Sequence, residues 1–174
     1  FNPIATGSIV ISVSLSGSGS KVGLGTVSGV TLYGVKDDNS LTAALYSDKK
    51  STFVAISDNG EVLAVGEWGY DCDRGNENDD CGRVRVFDVT TDNPVQIGQA
   101  IVGKERDLCG TSLDLSGDGR TVVVGCSRNK AMVATLNDND SNGNPSSWDI
   151  DTLRIDALNS VAISSDAETI ALGS

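Results

Sequence analysis

Four stretches of this chain follow one template: "SVSLSGSGSKVGLGT", "FVAISDNGEVLAVGE", "TSLDLSGDGRTVVVGC" and "SVAISSDAETIALGS". They align on a serine that ends an apolar run: Ser16, Ser57, Ser116 and Ser164. Apolar residues stand one and three positions before it, as Val13/Leu15, Val54/Ile56, Leu113/Leu115 and Val161/Ile163. A short polar stretch follows, then a second apolar run, with glycine nine positions after the serine each time: Gly25, Gly66, Gly125 and Gly173. Alternation on either side of a Gly/Asp/Asn turn predicts a β-hairpin.

A second pair of strands is expected between hairpins: "VTLYGV" with "LTAALY", "RVRVFDV" with "VQIGQAI", and "AMVATL" with "WDIDTLRI". The units are then four-stranded and antiparallel, over about 9–47, 53–102 and 110–156, with a half unit at 159–174. No helical periodicity of useful length interrupts them, so the fold class is all-β in a single repeat domain. The serines are 41, 59 and 48 residues apart, in and around the range of propeller blades.

"GRVRVFDVTT" after "VAISDNGEVLAVGE", together with "SVAISSDAETIALGS", resembles the WD-repeat class of β-propellers. The FG-GAP blades of integrin α-subunits are a second resemblance. The Trp-Asp pair of WD repeats is replaced by Phe87–Asp88, Tyr33–Gly34 and Ala134–Thr135, and the Gly-His dipeptide is absent. What the resemblance implies is a binding platform rather than a chemistry. Three and a half blades fall short of the four to eight that close a propeller, and a half blade leaves unpaired N–H and C=O groups. Completion by further residues of a longer polypeptide or by another chain is expected; an open stack of sheets is the alternative.

With 174 residues and 18.0 kDa, the chain is long enough for a sizeable core. Its net charge of −11 disfavours nucleic acid and anionic membranes. No apolar run approaches the roughly 20 residues of a membrane span. Histidine is missing altogether, which removes the usual general base and the Ser-His or Cys-His nucleophile pairs. Ser112 and Ser160 therefore have no activating base, and no GxSxG elbow occurs. Phe1 rather than Met begins the sequence, consistent with a removed leader or with a piece of a longer polypeptide.

The four cysteines read as two local disulfides, Cys72–Cys81 and Cys109–Cys126, each contributing about 3 kcal/mol; four reduced thiols are the alternative. Oxidised cysteines imply a secreted, extracellular or cell-surface protein, and Asn139 opens a glycosylation sequon.

Two segments have the oxygen-rich composition of a calcium site. "GYDCDRGNENDDCG" carries Asp71, Asp73, Asp79 and Asp80 between Tyr70 and Gly82, around the two cysteines. "DNDSNGNPSSWD" sets Asp138, Asp140, Asn142 and Asp149 in a D-x-D-x-N-G pattern with an acid at its end. A solvated acidic loop and a long hairpin turn are the structural alternatives. The acids of the first segment could also be read as a glycosidase pair. Trp68 and Tyr70 are a candidate partner-binding patch; the alternative packs Trp68 and Trp148 beneath their loops. The expected function is a non-catalytic extracellular interaction module that binds partner proteins or further copies of itself. A calcium-dependent adhesion or carbohydrate-binding propeller comes second, and a propeller-type glycosidase or lyase third.

Overall fold

The computed structural model describes residues 7–35, 41–46, 53–72, 79–137, 147–155 and 158–174. Every regular element among them is an antiparallel strand. No helix among them is long and apolar enough to cross a membrane. The first sheet runs β1 (Val10–Leu15), β2 (Lys21–Thr26), β3 (Gly29–Val35) and β4 (Leu41–Tyr46), hydrogen-bonded in chain order. The second contains β5 (Phe53–Ile56), β6 (Val62–Glu67) and β7 (Arg83–Asp88), with β8 (Val95–Gln96) and β9 (Ile101–Val102) both paired to β7. β10 (Ser112–Leu115), β11 (Thr121–Cys126), β12 (Lys130–Asn137) and β13 (Ser147–Arg154) make the third. β14 (Ser160–Ile163) and β15 (Ile170–Gly173) pair alone.

The expected continuous strand "VQIGQAI" is therefore two short pieces. Gly98 at φ 63° breaks the extended run between them, while Ile97 N–H still reaches Val86 O at 2.8 Å.

The aligned serines explain why the hairpins repeat. Each hydroxyl accepts the N–H five residues on: Lys21 at 3.0 Å, Val62 at 3.0 Å, Thr121 at 2.9 Å and Thr169 at 2.9 Å. Each serine carbonyl also accepts the N–H three residues on, from Gly19, Gly60, Gly119 and Ala167. In three turns the hydroxyl donates to the side chain two positions on: Asn59 at 2.6 Å, Asp118 at 2.7 Å and Asp166 at 2.6 Å. That oxygen in turn accepts the N–H of Glu61, Arg120 or Glu168. A four-residue loop is thus closed from inside, with the local polar groups matched.

Successive sheets meet through their first strands, β1 with β5, β5 with β10, and β10 with β14. Val30 and Leu32 pack with Val54, Ile56, Leu63, Val65 and Phe87 between the first and second sheets. Val62, Ala64, Val84 and Val86 pack with Leu115, Val122, Val124, Met132 and Trp148 between the second and third. Val123 and Ala131 pack with Val161 next to the last hairpin. β11 therefore reads "VVV" without alternation because Val122 and Val124 face one sheet while Val123 faces another. Full burial of each such side chain contributes about 1.5–3 kcal/mol.

Two predictions arise from the turns. Position three after the serine has φ 70° at Gly19, 73° at Gly60 and 73° at Gly119, but 62° at Ala167. Ala167→Gly removes a left-handed alanine and is expected to stabilise the protein by about 1 kcal/mol in urea unfolding.

The second concerns acid. Asp118 ionises below its ordinary 3.8: burial, the largest single influence, acts upward, but the Arg120 N–H, the Ser116 hydroxyl and the Arg120 charge together outweigh it. Asp166 is lowered chiefly by the Ser164 hydroxyl, and Asp88 chiefly by the Thr90 hydroxyl. Carboxyls that ionise more readily folded than unfolded stabilise the protein above about pH 4 and cease to do so as pH falls through their lowered values. Asn59 makes the same contacts without a charge. Asp118→Asn should therefore fold normally and lose less stability than the parent between about pH 5 and about pH 3, as read from urea midpoints.

Candidate functional site

The ends of the strands opposite the serine turns carry the structure's cross-links and most of its buried charge. Cys72 and Cys81 are bonded within the β6–β7 loop, and Cys109 is bonded to Cys126 at the end of β11. The two staples touch through backbone, because Cys109 N–H donates to Cys81 O at 3.0 Å. Gly82 is required here: its φ is 69°, and a Cβ on it would collide with the Cys109 backbone. A Cβ on Gly103 would collide with Cys81 O in the same way. Cys81, Cys109 and Cys126 are buried, whereas Cys72 is exposed. Both expected pairings are present, and two disulfides are consistent with an oxidising, extracellular setting.

Beside the staples lies a buried ion cluster. Glu67, only 3 % exposed at the end of β6, pairs with Arg83 through Nε and with Arg85 through Nη2 at 2.7 Å. Glu67 is register partner to Arg83, and Arg85 lies one pleat further on the same face of β7. The Arg83 guanidinium also stands 4.1 Å over the Tyr70 ring. Tyr70 is therefore half-buried as part of this cluster. Trp68 is 41 % exposed, while Trp148 is packed and donates its indole N–H to Ile97 O at 3.0 Å.

A cavity of about 690 Å³ opens at the same end of the third sheet, lined by Lys104, Asp107, Arg128, Lys130, Thr152 and Arg154. Three separate segments supply them: the loop before β10, the β11–β12 turn, and the end of β13. Asp107 accepts the Lys104 N–H at 2.8 Å and binds Lys130 Nζ at 2.5 Å. Arg128 and Asn129 have φ of 66° and 60°, the geometry of a tight turn that fixes where Arg128 leaves the backbone.

Of the calcium candidates, Asp73, Asp138, Asp140 and Asn142 lie outside the described residues, as does Asn139 of the sequon. Asp79 is buried and Asp71 half-buried, and Asp71 accepts the Asp80 N–H at 3.3 Å. Asp149 is on β13 opposite Thr135 and accepts from the Asn137 side chain at 3.2 Å. Among the described residues, no group of three or more His, Cys, Asp or Glu is gathered as a metal site.

Sequence reasoning missed the Glu67 cluster and the cationic cavity. The first had a signal in the alternating "RVR" opposite a strand ending in glutamate. The second had none, since its residues are scattered along the chain. Removing Glu67 takes a carboxylate away from buried Arg85 and partly exposed Arg83, so Glu67→Ala is expected to cost about 3 kcal/mol in urea unfolding.

No family model matches the sequence, WD-repeat and FG-GAP models included, and no curated protein matches it. Among solved structures the chain is similar to Kuenenia stuttgartiensis hydrazine synthase, with a TM-score of 0.59 and 18 % identity. The match covers 98 % of this chain and 44 % of that one, so this chain spans less than half of its structural neighbour's length. At that identity the likeness concerns fold alone, an all-β arrangement of antiparallel sheets.

Proposed function

We propose that the chain is a non-catalytic interaction module, part of a β-propeller that is secreted or held at the cell surface. It builds a larger assembly by docking sheets of its own repeat pattern onto its two outer faces. One observation carries this reading: at two of the three inner junctions the first strand of one sheet offers side-chain acceptors to the next, and a serine of that device recurs on an outer face. Ser12 and Ser14 of β1 accept the Val54 and Ile56 N–H groups of β5, at 3.2 and 3.0 Å. Ser112 and Asp114 of β10 accept the Val161 and Ile163 N–H groups of β14, both at 2.9 Å.

Ser160 occupies the equivalent place on β14 and is exposed, and its hydroxyl has no hydrogen-bond partner among the described residues. At the other end Val13 and Leu15 occupy the place of Val161 and Ile163, yet they are 63 % and 57 % exposed, beside exposed Ile9 and Ile11. One end thus offers an acceptor for an incoming first strand, and the other offers the apolar face of such a strand. The fit is head to tail, the acceptor of one outer face meeting the apolar first strand of the other. Two disulfides support the extracellular setting.

Sedimentation velocity over a wide concentration range tests this. Self-association is expected, weakened at least tenfold by Val13→Asp on one face and by Ala162→Arg on the other. Val95→Asp, on an exposed site of β8, should leave it unchanged. A monomer at every concentration, or association indifferent to both face variants, would overturn the reading.

A further inference from the structure

The cavity at the end of the third sheet plays no part in that docking, and its charge runs against the rest of the molecule. Four of the chain's thirteen Lys and Arg residues line it in a protein of net charge −11: Lys104, Arg128, Lys130 and Arg154. The lining carboxylate of Asp107 is 8 % exposed and is engaged by the Lys130 ammonium and the Lys104 N–H. The side-chain charges of Lys104, Arg128 and Arg154 have no carboxylate partner among the described residues.

Lys104, Arg128 and Arg154 are exposed, and their like charges face one another across the cavity mouth. Lys130 and Arg154 are direct register partners on β12 and β13, and like charges opposite one another destabilise a sheet. Asp107 offsets the charge of Lys130, and nothing described offsets that of Arg154. Arg128 is rooted in the tight turn beside them, and the Thr152 hydroxyl stands on the same wall. Three cations from three directions with a hydroxyl donor suit a tetrahedral oxyanion, because guanidinium forks bond such oxygens pairwise. A volume of about 690 Å³ lies within the range of small-molecule sites and exceeds what one bare ion fills.

We propose that this cavity binds a compact anion carrying a phosphate or sulfate group, held by Arg128, Arg154 and Lys104 with Thr152 as a neutral donor. The group could arrive on a small organic ester or as the free ion, and titration separates these sources. Calorimetry at low salt would use inorganic phosphate, inorganic sulfate and glucose 6-phosphate as probes. Binding of at least one is expected, with each of Arg128→Ala and Arg154→Ala weakening it at least tenfold and the double variant abolishing it. Arg120→Ala, beyond the opposite end of the sheet, should bind as the parent does, with circular dichroism confirming that all variants are folded. Tighter binding of the ester would assign an organic ligand, and equal binding would assign the oxyanion itself. No measurable binding of any probe to the parent, or binding unchanged in the folded double variant, would overturn the proposal.

Discussion

An antiparallel sheet that begins with an edge strand exposes a row of N–H groups, and this molecule answers that problem with side chains. Serine or aspartate on the first strand of one sheet bonds the outward N–H groups of the next, at Ser12 and Ser14 and again at Ser112 and Asp114. A buried N–H without an acceptor costs about 1–3 kcal/mol, so each pair of bonds removes a penalty that would oppose bringing its two sheets together. The backbone adds a second tie at the turns, where Gly17 N–H reaches Asp58 O at 3.0 Å and Gly117 N–H reaches Ser165 O at 2.8 Å. Side chains and turns together set a fixed step from one sheet to the next.

The junction between the second and third sheets is built differently. Phe53 and Ala55 replace the polar pair there, and Ala55 is buried in the apolar cluster. The backbones approach closely here: a Cβ on Gly66 would collide with Gly110 O, and one on Gly110 would crowd Gly66. The same junction carries the shared Cys81–Cys109 contact and both disulfides. Each disulfide closes a loop on its own side of this junction, and backbone hydrogen bonds, Cys109 N–H to Cys81 O and Asn59 N–H to Gly117 O, join the two sides.

The parts of this architecture that are local in sequence were legible before the structure. The serine anchor, the turn length, the hairpin partners and both cysteine pairs depend on residues within about twenty positions of one another. Their physical signals of alternation and spacing survive in one dimension. What depends on distant segments was not legible. "VQIGQAI" carries strand-forming residues, yet Gly98 and the β7 edge split it. Glu67 looks like an ordinary strand-end acid until Arg83 and Arg85 fold over it. The serines at 12 and 112 were visible, but their purpose appears only when the neighbouring sheet stands beside them.

Charge is distributed along the third sheet with a direction that the net figure conceals. At the turn end, Asp118 is tied to Ser116 and holds its ionisation through hydrogen bonds. At the far end, Arg128, Lys130 and Arg154 converge with Lys104. A strand of six residues spans about 20 Å, twice the screening length of about 10 Å at moderate salt. Over that distance Asp118 at one end is largely screened from the cations at the other, whose nearby acids are Asp107, engaged by Lys130, and Glu105, paired with Arg106. A net charge of −11 is therefore compatible with local attraction of an anion, provided the ligand is small enough to meet only that end of the sheet.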